Sequence, residues 1–291
     1  RTVKNDMNSD GFLDNPIGKQ LNLVSRWQYT DAEKGWVSFF NFKYMNDQKQ
    51  TGELAFNPEV DKLTTNYWGS EINTKRFDFT SKTGYVFKDM PFQSIGIQNA
   101  FSSHNQDSYF GLRQYTINQK SYYSNLIFNS IITNTNNKFS TGVNFTLDQY
   151  SEYFSSSDFS RIDNSIGAFF EYTYDSMNKL SFILGSRVDY HNRLGIFYTP
   201  RLHVRYNPWE KSVIRFSAGR GKRAANIFAE NQHLFGSSRA FSILDTDGKI
   251  YGLNPEIAWN YGISFTQNFK LFTKSADVSL DIYRTDFQNQ A

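Results

Sequence analysis

The chain has 291 residues, enough to bury a sizeable core, and its formal charge of +3 with no block of Lys and Arg excludes nucleic acid as a partner. The absence of Cys excludes disulfides and thiolate metal centres. Aromatic residues reach 18% (Phe 28, Tyr 18) while the charged fraction is 20% and the mean hydropathy is -0.58, a combination suited to a chain with apolar residues at every second position rather than to an ordinary soluble globule.

The first element is an acidic turn, DMNSDGFLD at residues 6–14. Asp6, Asn8, Asp10 and Asp14 hold positions 1, 3, 5 and 9 of a calcium loop, with Gly11 at the turn and the Phe12 carbonyl as a further oxygen. Ile17 stands where the bidentate Glu belongs and no amphipathic helix flanks the turn. Both a weak Ca²⁺ site and an Asx-rich turn that caps its own backbone therefore remain open, and either would order an extracellular loop.

Period-two alternation then begins and continues to the end. Leu21, Leu23, Trp27 and Tyr29 share one face; after the turn TDAEKG at Thr30, so do Trp36, Phe40, Phe42 and Tyr44. A long link from Asp47 carries the aromatics Tyr67 and Trp68, expected to be exposed and either to contact a ligand or to pack the loops. Short turns follow at Lys88 (KDMP) and Asn134 (NTNN), the latter leading to Phe139, Val143, Phe145 and Leu147. Ile166, Ala168, Phe170, Tyr172 and Tyr174 precede DSMN at Asp175; Leu180, Phe182, Leu184, Val188 and Tyr190 come next. Tyr198, Leu202, Val204 and Tyr206 lead to NPWEKS at Asn207. A second long link, residues 226–253, includes Phe235, open to the same two readings. Ile257, Trp259, Tyr261, Ile263, Phe265 and Phe269, then Ala276, Val278, Leu280 and Ile282, close the series.

These are roughly 12 segments of about ten residues or more, the length with which a tilted strand crosses a membrane. No window approaches the roughly 18 apolar residues of a spanning helix, so a crossing would be made as a barrel. Short connections alternate with long ones, which places the short side at the periplasm and the acidic turn on the outer side. Trp27, Tyr29, Trp36, Tyr122, Tyr123, Tyr172, Tyr174, Tyr206 and Trp209 are expected to form interfacial girdles. The plainer alternative, a soluble sandwich or propeller, fits poorly with strands this long.

Among chemistry-bearing residues, Arg187, Arg201, His203, Arg205 and Arg215 fall on polar faces, with Arg220 and Arg223 at a strand end. Facing a lumen they would attract an anionic or metal-chelated ligand, unless they pair with carboxylates of neighbouring strands. GRGKR lacks phosphate-loop spacing, the four His are scattered, and nothing resembles a nucleophile elbow, so no catalysis is expected.

SAGRGKRAANIFAENQHLFGSSR, residues 217–239, resembles the late barrel of TonB-dependent outer-membrane receptors, particularly those of the Bacteroidetes, through Gly219, Gly221, Arg223, Asn226, Glu230 and Asn231. GLNPEIAWNYGISF is similar to the family's next motif through Leu253, Pro255, Glu256, Asn260, Tyr261 and Gly262, and YRTDFQNQ at 283–290 resembles the strand that follows; Lys222 departs from the family's usual aromatic. The resemblance implies an all-β, antiparallel transmembrane barrel of about 12 strands cut from one of 22, with residues 1–291 as a partial barrel domain lacking the plug and leaving two unpaired edges. It also implies an outer-membrane receptor for active uptake of a ferric siderophore, cobalamin or glycan, partnered by TonB through the plug and by membrane lipid. In that setting Arg223 and Glu230 would hold the strand end and its loop. A passive porin is the alternative; an adhesin or barrel enzyme would need rim catalytic residues that are not seen.

Overall fold

The computed structural model describes residues 3–243 and 248–290, so Arg1, Thr2, Ala291 and positions 244–247 of the second long link lie outside the described residues. In chain order the elements are β1 (Ile17–Asp31), β2 (Trp36–Gly52), α1 (Pro58–Asp61), β3 (Gly69–Val86), β4 (Ser94–Phe110), β5 (Arg113–Ile132), β6 (Asn134–Phe154) and β7 (Ser157–Asp158). They continue with β8 (Arg161–Asp175), β9 (Leu180–His191), β10 (Gly195–Tyr198), β11 (Arg201–Tyr206), β12 (Ser212–Arg223), α2 (Ile227–Glu230), β13 (Glu256–Leu271) and β14 (Lys274–Asn289). Among the described residues all strands join one 14-stranded antiparallel sheet in which each long strand pairs with the next, while β7 and β10 pair only with β6 and β9. The sheet is not closed: β1 and β14 are its edges, and their free N–H and C=O rows are the kind that recruit further strands.

The register turns alternation into two continuous faces. Ile97 pairs with Leu126, Leu126 with Val143, Val143 with Ala168, and Ala168 with Val188, so one apolar row runs unbroken across five strands. Leu126, Val143, Val188 and, one step on, Ile166, Phe145 and Leu184 are all exposed. The opposite face carries the buried polar side chains Gln106, Asn144, Glu152 and Asp163. A dry two-layer interior would show the reverse. An apolar exterior and a polar interior is the division a bilayer requires of a barrel wall, because lipid solvates the first and water the second.

The ends differ as well. Links at 32–35, 87–93, 176–179, 207–211 and 272–273, and Thr133 alone, join strands at one end. At the other lie the links 53–68 and 224–255, although β4 and β5 meet there in two residues, Gly111 (φ 60) and Leu112. The acidic turn sits at the long-link end, where Leu13 N–H donates to the Gly52 carbonyl (2.9 Å) and Phe12 bridges Glu53. With β5 at 20 residues and β6 at 21, against roughly ten needed to cross a bilayer, the strands extend well beyond the apolar band on that side.

Two expectations change. The segment expected from Tyr198 to Tyr206 is broken at Thr199 and Pro200, since proline has no N–H for the ladder. Tyr123 is not in a girdle: it alternates with Tyr122, which shares its face with Leu126, so the Tyr123 ring faces the lumen.

Candidate functional site

Much of the buried apolar surface gathers at the outer end of the lumen face. Tyr115 and Ile117 of β5 and Phe154 of β6 meet Phe228, Phe235, Ile250 and Tyr251 of the 224–255 link, which folds back over the sheet. Phe228 stacks on Phe154 with ring centroids 5.0 Å apart and meets Tyr251 edge-on at 5.3 Å. Aromatic pairs in these geometries contribute beyond their area burial. The link spreads far from its roots on β12 and β13. Arg113 donates to the carbonyls of Phe235 (3.3 Å) and Arg239 (2.5 Å), and Gln106 of β4 to Gln232 (3.2 Å).

A charged network lies beneath it. Glu152, fully buried, accepts from Tyr115 Oη (2.8 Å), Tyr251 Oη (2.5 Å) and Arg161 Nη1 (2.6 Å). Arg161 also holds Asp163 (3.1 Å), which holds Arg193 (2.9 Å), and its guanidinium sits over the rings of Tyr150 and Tyr251 at 3.9 and 4.7 Å. A buried carboxylate is tolerable only when donors replace water, and here three do. Burial, reinforced by the Glu152 charge, pushes the Tyr251 hydroxyl well above the usual phenol range, so it stays a donor.

The residues of the 217–239 motif set up the start of this link. Asn226 caps α2, its Oδ1 accepting from Ala229 N–H (3.2 Å), while Glu230 reaches back to the Asn226 N–H (3.1 Å), a reciprocal capping box. Arg223 joins Glu230 (3.0 Å) to Glu256 (2.5 Å), tying both roots of the link together, and Asn231 donates to the Ile227 carbonyl (2.8 Å). Gly219 lies opposite Arg201, where a Cβ would make ordinary contact at 3.7 Å; Gly221 faces open space.

The basic residues are partly gathered. Arg201, His203 and Arg205 of β11 share the lumen face with Arg215 of β12, which is directly opposite Arg205. Arg187 is engaged by Asp189 through two 2.7 Å bonds, and Arg201 crosses over Gly185 to pair with Glu171. Arg205 and Arg215 form no ion pair among the described residues. Like charges facing each other across a ladder repel, which makes this pair receptive to an anion. With His203 and Asp281 they line a groove of about 550 Å³. Arg220 is out of phase along the strand, sharing its parity with Phe216 rather than with Arg215; it donates to the Tyr198 carbonyl (3.1 Å) and Gln288 (3.4 Å), and with Arg187 and Arg201 it lines a groove of about 350 Å³.

Gly185 is what lets Arg201 lie across β9, since a Cβ there would stand 2.7 Å from Arg201 Cγ. Gly185→Ala is expected to dislodge the pair at a cost of about 1 kcal/mol, the worth of a well-placed exposed bridge. In an Arg201→Ala background the same substitution should cost nothing measurable by denaturant unfolding, and an unchanged penalty would show that Arg201 is not the obstacle.

Of the expected ligand contacts in the loops, Tyr67 is exposed. Trp68 packs between Phe12 (6.4 Å) and Gly111. Phe235 is not exposed as expected and takes the packing role: its ring is 1% exposed inside the aromatic cluster, because the link turns inward. In the acidic turn the oxygens a cation would take are engaged by the turn itself: Asp6 accepts from Asp10 N–H (3.2 Å) and Gly11 N–H (3.0 Å), Asp10 from Phe12 N–H (2.8 Å), and Asp14 from Met7 N–H (2.7 Å). Among the described residues no three acidic or His side chains converge to hold a metal.

The family model for the TonB-dependent receptor-like β-barrel matches residues 4–291. The chain belongs to this family. Such receptors are outer-membrane barrels, so the apolar face described above is the one that meets lipid. No curated protein matches by sequence. Among solved structures, FpvA of Pseudomonas aeruginosa bound to heterologous pyoverdines is similar at TM-score 0.67 and 11% identity, over 94% of this chain and 42% of that one. The ferric enterobactin receptor PfeA, also from Pseudomonas aeruginosa, gives TM-score 0.66 and 11% identity over 99% and 45%. The siderophore receptor PirA of the same organism gives 0.59 and 12% over 94% and 53%. The chain thus spans about half the length of the solved receptors it matches.

Proposed function

We propose that the intact protein is an outer-membrane receptor that binds a large nutrient at its outer mouth and imports it with energy delivered by TonB through a plug domain. The observation that carries this reading is the docked 224–255 link: an aromatic and charged core built on the lumen side closes part of the mouth, which suits capture of a bulky ligand better than free diffusion through a pore. The solved relatives are described as receptors for siderophores, and a ferric siderophore admitted through the mouth would meet the basic groove at Arg205, Arg215 and His203 farther in, beside the inner link 207–211. Cobalamin and glycans are the other ligand classes to be scored.

The test is uptake by cells carrying the full-length gene on defined iron, vitamin and glycan sources, with and without TonB and the proton gradient. Import that stops in both depleted strains supports the receptor; import indifferent to TonB would make the protein a passive channel instead.

A further inference from the structure

Polar side chains interrupt the outward face at mid-depth. Ser81 of β3, Asn99 of β4 and Ser124 of β5 form one row, bounded by Phe40 of β2 and Phe145 of β6. The next row outward is Phe42, Phe79, Phe101 and Tyr122, and one row inward Ser38 Oγ donates to Thr83 Oγ1 (3.2 Å). Asn99 is five residues beyond Ser94 and Ser81 five before Val86. At about 3.3 Å per residue and a tilt near 40°, both stand about 13 Å from the inner turns, halfway up an apolar band of about 25 Å. Across β11 to β14 the outward row Val204, Phe216, Ile263 and Ile282 carries no polar side chain, so the interruption belongs to one sector of the wall.

Hydrocarbon cannot satisfy this row. Asn99 Oδ1 accepts from Tyr122 Oη (3.0 Å) and its Nδ2 donates to Ser81 Oγ (3.4 Å), but an amide has two N–H donors. The second N–H, and the hydroxyl hydrogens of Ser81 and Ser124, meet no acceptor among the described residues. Acyl chains offer none, so these donors carry a cost in lipid that a protein surface with acceptors at the same depth would recover. An amide flanked by hydroxyls holds donors and acceptors together and is its own complement. Copies of one chain cross the membrane in one direction, and the closed pair that keeps both upright has its two-fold axis along the bilayer normal, with the same patch on each side. With that axis at Asn99 the two amides meet, and Ser81 of each copy stands opposite Ser124 of the other. Five strands centred on β4, at about 4.8 Å spacing, outline about 600 Å² of the band before the relief of their rings is counted, close to the roughly 800 Å² per partner of a stable interface.

We propose that the outward face around Asn99 is an intramembrane interface between two copies of the receptor, in which Asn99 pairs with Asn99 and Ser81 with Ser124 across a two-fold axis. The full-length receptor is reconstituted in lipid vesicles at falling protein-to-lipid ratios, and association is read by energy transfer between copies carrying donor or acceptor dyes on their outer links. Asn99→Leu, which suits lipid, should weaken association about tenfold, while Ile263→Leu on the wholly apolar row should associate as wild type. Unheated Asn99→Leu should keep the electrophoretic mobility of the folded barrel, which separates lost pairing from misfolding. Cross-linking is a second readout that leaves the amide in place. Oxidised in the membrane, a mixture of Ser81→Cys and Ser124→Cys proteins should form far more disulfide-linked dimer than either protein alone, and Val204→Cys should form none. Monomers at every ratio, an Asn99→Leu receptor that pairs as tightly as wild type, or equal cross-linking at Val204 overturns the proposal. Cross-linking of Ser124→Cys in cells to a different protein, with no self-dimer, gives the face to another partner and overturns it too. Neither TonB nor a nutrient enters the vesicle experiment, so its outcome is separate from that of the uptake experiment.

Discussion

Glu152→Gln in the full-length receptor is expected to destabilise the outer mouth by about 3 kcal/mol, the lower end of the cost of breaking a buried ion pair, because Asp163 still holds Arg161. The loss has two sources. Arg161, whose side chain is 8% exposed, retains one carboxylate instead of two, and the hydroxyls of Tyr115 and Tyr251 exchange a charged acceptor for a neutral amide that must also place its own donors. Tyr251 is the contact that belongs to the link, so the local consequence is undocking. Amides at Ala229 and Leu234, which bond within the link, should lose protection from hydrogen exchange, while the paired middle of β5 and β6 keeps its own. Tyr251→Phe removes one bond to a charged acceptor and should cost about 1.5–3 kcal/mol with the same pattern of exchange. Glu152→Leu combined with Arg161→Met, Tyr115→Phe and Tyr251→Phe should recover part of the loss, since a well-packed apolar cluster avoids the desolvation of both charges and leaves no tyrosine hydroxyl without its acceptor. Full protection of the link in Glu152→Gln would mean that the aromatic cluster alone secures it.

How much of this could be read without coordinates follows from the range of the interactions. Alternation is a local property, so the strands from Leu21 to Tyr29 or from Ile166 to Tyr174 are visible in the sequence, and with short turns between them the next-neighbour pairing follows. Phase is also local, and counting two at a time from Arg215 reaches Ser217, Gly219 and Gly221, which gives Arg220 the other parity. Docking of the 224–255 link is not local. Tyr251 meets Glu152 across 99 positions and Phe235 is buried by strands more than eighty positions earlier, so their residue types alone read as exposed loop aromatics. One trace was available: Tyr150, Glu152 and Phe154 occupy a single face, and a carboxylate held between two rings at that spacing requires donors from elsewhere.

Val143→Arg tests the assignment of the two faces, and its expected cost in a bilayer is about 2–4 kcal/mol, the penalty for a cation on the lipid side near the midplane. Val143 is midway along β6 between Leu126 and Ala168, half exposed, and makes no polar contact that Arg would disturb. Were this face in water, a substitution at so open a site would fall within about 0.5 kcal/mol of neutral. The two outcomes are separated by more than the error of an unfolding measurement, and no contact within the chain differs between them; only the solvent does. Depth provides a control. Gln149→Arg, three steps outward on the same face and toward the outer edge of the apolar band, should cost about 0–1 kcal/mol because a long side chain there reaches the headgroups. A flat profile from Val143 to Gln149, with both near zero for the full-length protein in lipid vesicles, would show that the aromatic face does not meet lipid. The membrane crossing and the direction of uptake would then have to be abandoned together.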